Sequence, residues 1–215
     1  VETSECERTL RGHRRQVVSA IFSKNGQLVL TASADSTVRT WNAQTGECWR
    51  VFDEHRGPVR SVALSPQGDL AITASEDGSA MIWQVESGIV VTTLKGHSEP
   101  LCGAVFSPNG YLVITAAADS KAIIWITGSG DDLLRLEGHS GPVVAAAFSP
   151  DAQLAITASI DRTAKVWSAE SGTCLRTFTE HTGALCSAGF HPKVQRALAR
   201  LGQPVREALP AEWGE

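Results

Sequence analysis

Four residue types with the makings of a catalytic site recur along this chain at one fixed interval. His13, His55, His97 and His139 are spaced by 42 residues. Thr31, Thr73, Thr115 and Thr157 keep the same step, as do Asp35, Asp77, Asp119 and Asp161, and Trp41, Trp83, Trp125 and Trp167. A histidine oriented by a carboxylate can act as base toward a hydroxyl, the logic of nucleophilic catalysis. A reaction needs one such site, however, and here the set is copied four times. That repetition argues for architecture over chemistry. His181 extends the histidine series, but no threonine, aspartate or tryptophan follows it in phase.

The other chemical candidates are weaker. His97 with Cys102, and His181 with Cys186, have the residue types of a metal site, but the equivalent thiol slots hold Val18, Arg60 and Val144. A ligand set is therefore not built into the repeat. Cys6, Cys48 and Cys174 share another slot and read as small free thiols. Gly128-Ser129-Gly130-Asp131 is a turn without the Gly-Lys-Ser/Thr of a phosphate loop. No zinc-protease helix motif or nucleophile elbow occurs. The expectation is a non-enzyme with no cofactor, no metal and no catalytic residue. Nineteen Lys and Arg against 23 Asp and Glu give a net charge of −4, which argues against charge-driven nucleic-acid binding. No apolar run reaches the roughly 20 residues of a membrane helix. Five cysteines without a Cys-x-x-Cys pair, and a first segment unlike a secretory leader, point to the cytoplasm or nucleus.

Strands are the elements that must position these residues. Leu28, Leu30 and Ala32 alternate with polar or small residues, the period of a strand, and recur as Leu70, Ile72, Ala74, then Leu112, Ile114, Ala116, then Leu154, Ile156, Ala158. Val17, Ala20 and Phe22 recur as Val59, Val62, Leu64, then Leu101, Ala104, Phe106, then Val143, Ala146, Phe148. The uneven step from Val17 to Ala20 predicts a β-bulge.

The motifs resemble the WD-repeat β-propeller family. Gly12-His13, Gly96-His97 and Gly138-His139 resemble its Gly-His pair, and Ser65-Pro66-Gln67-Gly68 and Ser107-Pro108-Asn109-Gly110 its first turn. Thr31 to Trp41 and Thr157 to Trp167 resemble the segment from its second to its third strand. The period fits a unit of ~40–45 residues, one four-stranded blade. Two features depart from the pattern. Asn42, Gln84, Ile126 or Ser168 follows the tryptophan, never aspartate, and Glu54 and Glu180 replace the glycine before His55 and His181. The resemblance implies a hydrogen-bonded tetrad in each blade, His13/Thr31/Asp35/Trp41 and its three copies, with Trp donating to Thr, Thr contacting His, and His contacting Asp.

The predicted fold is all-β: four complete four-stranded blades, at about 17–53, 59–95, 101–137 and 143–179. They are flanked by an outer strand at Cys6–Leu10 and an inner strand at Leu185–Phe190 of an incomplete fifth blade. Residues 1–11 form the outer strand of a preceding or closing blade, and 12–190 hold the blades. Residues 191–215 form a divergent tail, a short helix from Val194 to Leu201 or a disordered end. Open blade edges are an association liability. Three states follow: a strained small ring, pairing with another copy, or a fragment of a larger propeller.

Slots that repeat serve the fold, whereas slots that vary at a rim can serve a partner. The resemblance places the bulge residues and the residue before each tetrad aspartate on one face. Gln16, Val18, Arg60, Glu76, Cys102, Val144 and Ile160 are the candidate partner-binding residues there. Arg60 and Glu76 are its charged members, able to meet a partner or to pair with each other. The expected function is a protein–protein interaction scaffold that presents this face to a protein or peptide. The alternative is a structural segment of a larger multidomain protein, and a peptide reader or ligand-binding propeller ranks below both.

Overall fold

Each 42-residue unit folds as an antiparallel sheet because its apolar stretches are short, alternating and separated by turn residues. A computed structural model describes residues 6–179 and 181–190 of the chain. The first sheet comprises β1 (Val17–Phe22), β2 (Leu28–Ser33), β3 (Val38–Asn42) and β4 (Cys48–Phe52). The second comprises β5 (Val59–Leu64), β6 (Leu70–Ser75), β7 (Ser79–Gln84) and β8 (Val90–Lys95). The third comprises β9 (Leu101–Phe106), β10 (Leu112–Ala117), β11 (Lys121–Ile126) and β12 (Asp132–Glu137). The fourth comprises β13 (Val143–Phe148), β14 (Leu154–Ser159), β15 (Ala164–Ser168) and β16 (Cys174–Phe178). Strand order within every sheet follows the chain, and no helix occurs among the described residues. The all-β, four-bladed expectation is met.

The inner strand of each blade carries the expected bulge. Pairing shifts between Val17 and Ser19, between Val59 and Ser61, and between Val143 and Ala145, and the third blade shifts opposite Ala116 and Ala117. Each first turn closes by a backbone bond onto a serine: Gly26 to Ser23, Gly68 to Ser65, Gly110 to Ser107 and Ala152 to Ser149. All four closing residues have positive φ, and only the last is not glycine.

The apolar core lies between blades. Leu30, Val38 and Phe52 of blade 1 share a cluster with Val59, Val62 and Trp83 of blade 2. Ile72 and Ile82 of blade 2 cluster with Leu101, Phe106 and Trp125 of blade 3, and Ile114 and Ile124 of blade 3 with Val143, Phe148 and Trp167 of blade 4. A blade therefore buries its faces only against its neighbours.

The flanking segments correct the sequence reading in one respect. Neither Cys6–Leu10 nor Leu185–Phe190 forms a strand. An outer and an inner strand are not neighbours within a blade, and no strand among the described residues joins them, so neither finds a ladder partner there. Cys6–Leu10 nevertheless holds the expected position. A Cβ built on Gly46 would meet Arg8 and Leu10, just as one on Gly88 would meet Arg50 and Phe52, and one on Gly130 would meet Thr92 and Leu94. At the other end the Leu185 amide donates to the Ser159 carbonyl at 3.3 Å. The expected helix or disordered tail at 191–215 lies outside the described residues.

Candidate functional site

The structure brings each His, Thr, Asp and Trp set together in its own blade. In blade 1 the Trp41 indole N–H donates to Thr31 Oγ1 at 2.8 Å, Thr31 Oγ1 is 2.7 Å from His13 Nε2, and His13 Nδ1 is 3.0 Å from Asp35 Oδ2. The His–Thr distances in the other blades are 2.7 Å for His55–Thr73 and 2.8 Å for His97–Thr115 and His139–Thr157. The His–Asp distances are 2.9 Å for His55–Asp77, 2.8 Å for His97–Asp119 and 2.9 Å for His139–Asp161. Trp83, Trp125 and Trp167 each donate to their threonine at 2.8 Å.

The aspartate accepts, so Nδ1 carries the proton and Nε2 receives the threonine hydroxyl. Burial lowers the pKa of His55, His97 and His139, and the attraction of Asp77, Asp119 and Asp161 opposes it without reversing it. Burial raises Asp77, but hydrogen bonds from Ser79, the Arg56 amide and His55 outweigh it and carry the pKa down to about 2. Asp35 and Asp161 are held still further below the ordinary carboxylate range by the same kinds of bonds. The threonine oxygen is occupied on both sides, by indole and by imidazole, and three of the four threonines are fully buried. A hydroxyl so engaged is poorly placed to attack a substrate.

Two further slots belong to the network and were not singled out from sequence. Thr37, Ser79 and Thr163 donate to Oδ1 of their aspartate at 2.6, 2.6 and 2.7 Å. Ser33, Ser75 and Ser159 accept the aspartate amide and donate to the carbonyls of Arg15, Gly57 and Gly141. Their 42-residue spacing was the available signal. Blade 3 departs at both slots, with Ala117 and Lys121.

The varying slots gather on one rim. In every blade a backbone bond ties the residue before the tetrad aspartate to the residue ahead of the inner strand: Ala34 to Gln16, Glu76 to Pro58 and Ala118 to Pro100 at 2.9 Å, and Ile160 to Pro142 at 3.0 Å. The bulge next to this link carries Val18, Arg60, Cys102 and Val144. Gln16 and Arg60 are exposed, Ile160 is 50% exposed, and Val18, Glu76, Cys102 and Val144 are half-buried. Arg60 and Glu76 form an ion pair with each other. Cys102 stands within their field: burial pushes its thiol pKa up, Arg60 opposes this, and Asp119 and Glu76 add to it. Among the described residues no group of three or more His, Cys, Asp or Glu is arranged to hold a metal ion. No helix among them is long and apolar enough to cross a membrane.

A family model described as WD domain, G-beta repeat matches residues 4–42, 46–84, 88–125 and 130–168. Each match runs from an outer strand, or the position of one, to the third strand of the next blade. No curated protein matches the chain.

Proposed function

The chain belongs to the WD-repeat family, whose propellers serve in general as protein-interaction scaffolds, and from that premise we propose that it is a non-catalytic scaffold binding its partner at the bulge rim. The observation that carries the reading is the division of slots. Buried tetrad positions repeat in all four blades, whereas the rim positions linked to them change from blade to blade. A rigid support with a variable rim can select one partner.

The rim is mainly apolar, with Val18, Cys102, Val144 and Ile160 around a single charged pair. Arg60 is the anchor: arginine is enriched at binding hot spots, and an exposed ion pair with Glu76 is worth only ~0–1 kcal/mol, so it opens at little cost to meet an acidic group. The partner is a protein or peptide rather than a nucleic acid, given the net charge of −4. A reducing compartment, cytoplasm or nucleus, suits the five free thiols, four of them exposed.

The test is affinity capture with the wild-type chain, Arg60→Glu, and Lys24→Glu as a control in the first turn. A partner lost with Arg60→Glu and kept with Lys24→Glu supports the rim. A partner indifferent to Arg60→Glu contradicts it.

A further inference from the structure

The two ends of the blade array leave only partly covered the two halves of a junction that the chain builds three times inside itself. On blade 1, Val17 is 45% exposed, Phe22 is 65% exposed and Ala20 is also exposed. The residues in phase with Val17 are Val59, Leu101 and Val143, and all are 0–1% exposed. Phe106 and Phe148, in phase with Phe22, are buried. Phe148 clusters with Ile114, Ile124, Leu112 and Val105 of blade 3. The equivalent receiving slots on blade 4 are Ile156, Val166, Leu154 and Ala147. Ile156 and Val166 are only half-buried there, whereas Ile72, Ile82, Ile114 and Ile124 are 0% exposed.

The segment Leu185–Phe190 is tied to blade 4 at its first residue. Its half-buried residues are Leu185, Ala188 and Phe190, in phase with Val17, Ala20 and Phe22. It forms no strand, and its one backbone bond to blade 4 is Leu185 to Ser159.

We propose that blade 4 binds β1 of a second copy, head to tail, and that Leu185–Phe190 is an internal placeholder competing for the same face, while Cys6–Leu10, beside Gly46, holds the seat of the incoming copy's β16 and is displaced with it. The interface is a continuation of the blade-to-blade junctions already present, made of the same slots. A second copy offers Val17, Ala20 and Phe22 on a strand held by a complete sheet, so little ordering is required on binding. The placeholder has no ladder partner and must be ordered from scratch. A head-to-tail contact closes or runs on. Two copies give a closed ring of eight blades, within the 4–8 range of propellers.

Light scattering on the chain across a concentration series tests this. The expected result is a concentration-dependent rise from 22.9 kDa to twice that mass and no further. Phe22→Glu, at an exposed site, is expected to hold the chain at the monomer mass, with the thermal midpoint of the wild type when both are measured at a concentration where the wild type is monomeric. Phe190→Glu releases the placeholder and moves dimer formation to roughly tenfold lower concentration. A monomer at every concentration, for wild type and Phe190→Glu alike, overturns the proposal. So does a dimer indifferent to Phe22→Glu, and masses that grow without limit overturn the closed ring.

Discussion

Asp119 Oδ2 lies 2.8 Å from His97 Nδ1 and also accepts the Ser98 amide at 3.1 Å. One carboxylate oxygen therefore ties the loop before β9 to the turn after β10. Asp119→Ala leaves a buried imidazole N–H and a loop amide without their acceptor, at ~1–3 kcal/mol. A denaturant melt is expected to show that loss, and an unchanged midpoint would contradict it.

Blade 3 lacks a serine that the other three blades use. Ala117 is fully buried where Ser33, Ser75 and Ser159 each accept the amide of their aspartate and donate to a loop carbonyl. Ala117→Ser adds one oxygen to a site whose backbone surroundings already fit it in the neighbouring blades. The expected gain is ~0.5–1.5 kcal/mol, the net worth of a made hydrogen bond. Chemical denaturation checks this, and a loss of stability would show that the third blade's loop has closed over the space.

Ala152 takes φ 60° in the first turn of blade 4, where Gly26, Gly68 and Gly110 take 69°, 83° and 79°. The left-handed conformation costs an L-residue roughly 1–2 kcal/mol, and glycine avoids that. Glycine's freer unfolded chain gives back ~0.4–1 kcal/mol. The first effect is larger, so Ala152→Gly is expected to raise the thermal midpoint. A lowered midpoint would mean that the turn holds alanine without strain.

Acid should weaken the fold in two steps. Burial lowers His55, His97 and His139 in the folded chain below their ordinary 6.5, so the unfolded chain binds protons first as pH falls, and stability is lost below that value. Asp35, Asp77 and Asp161 are held below their ordinary 3.8, and their contribution is present above that value. It fades as pH drops below 3.8, through the folded pKa values. Thermal melts from pH 8 to pH 3 are expected to show a decline beginning near pH 6.5 and a steeper one below about pH 4. A midpoint flat from pH 8 to pH 5 would contradict the histidine step.

The 42-residue phase carried most of the fold. It located the four sheets, the bulge beside Val17 and the repeated members of each tetrad, whose pairing the resemblance to the WD-repeat family then implied. It did not reveal that Cys6–Leu10 and Leu185–Phe190 stay unpaired. Periodicity reports which face a residue wants to bury, and not whether a neighbouring strand exists to hydrogen-bond. Thr37 and Ser33 were visible in the same phase but carry no chemistry of their own, so their role emerged only from their distances to Asp35. Arg60 and Glu76 show a further limit. The resemblance put both on one rim, while their pairing depends on side-chain positions that no spacing encodes.

The most direct measurement is hydrogen exchange of the tryptophan indole N–H groups, resolved residue by residue in nitrogen–proton spectra. Trp41, Trp83, Trp125 and Trp167 donate to buried threonines, whereas Trp49 is 48% exposed on an outer strand. If the four sets are structural ties of the blades, those four protons exchange only when the blades open and Trp49 exchanges freely. Exchange of any of the four at the rate of Trp49 would contradict the tetrads as the ties that hold the blades.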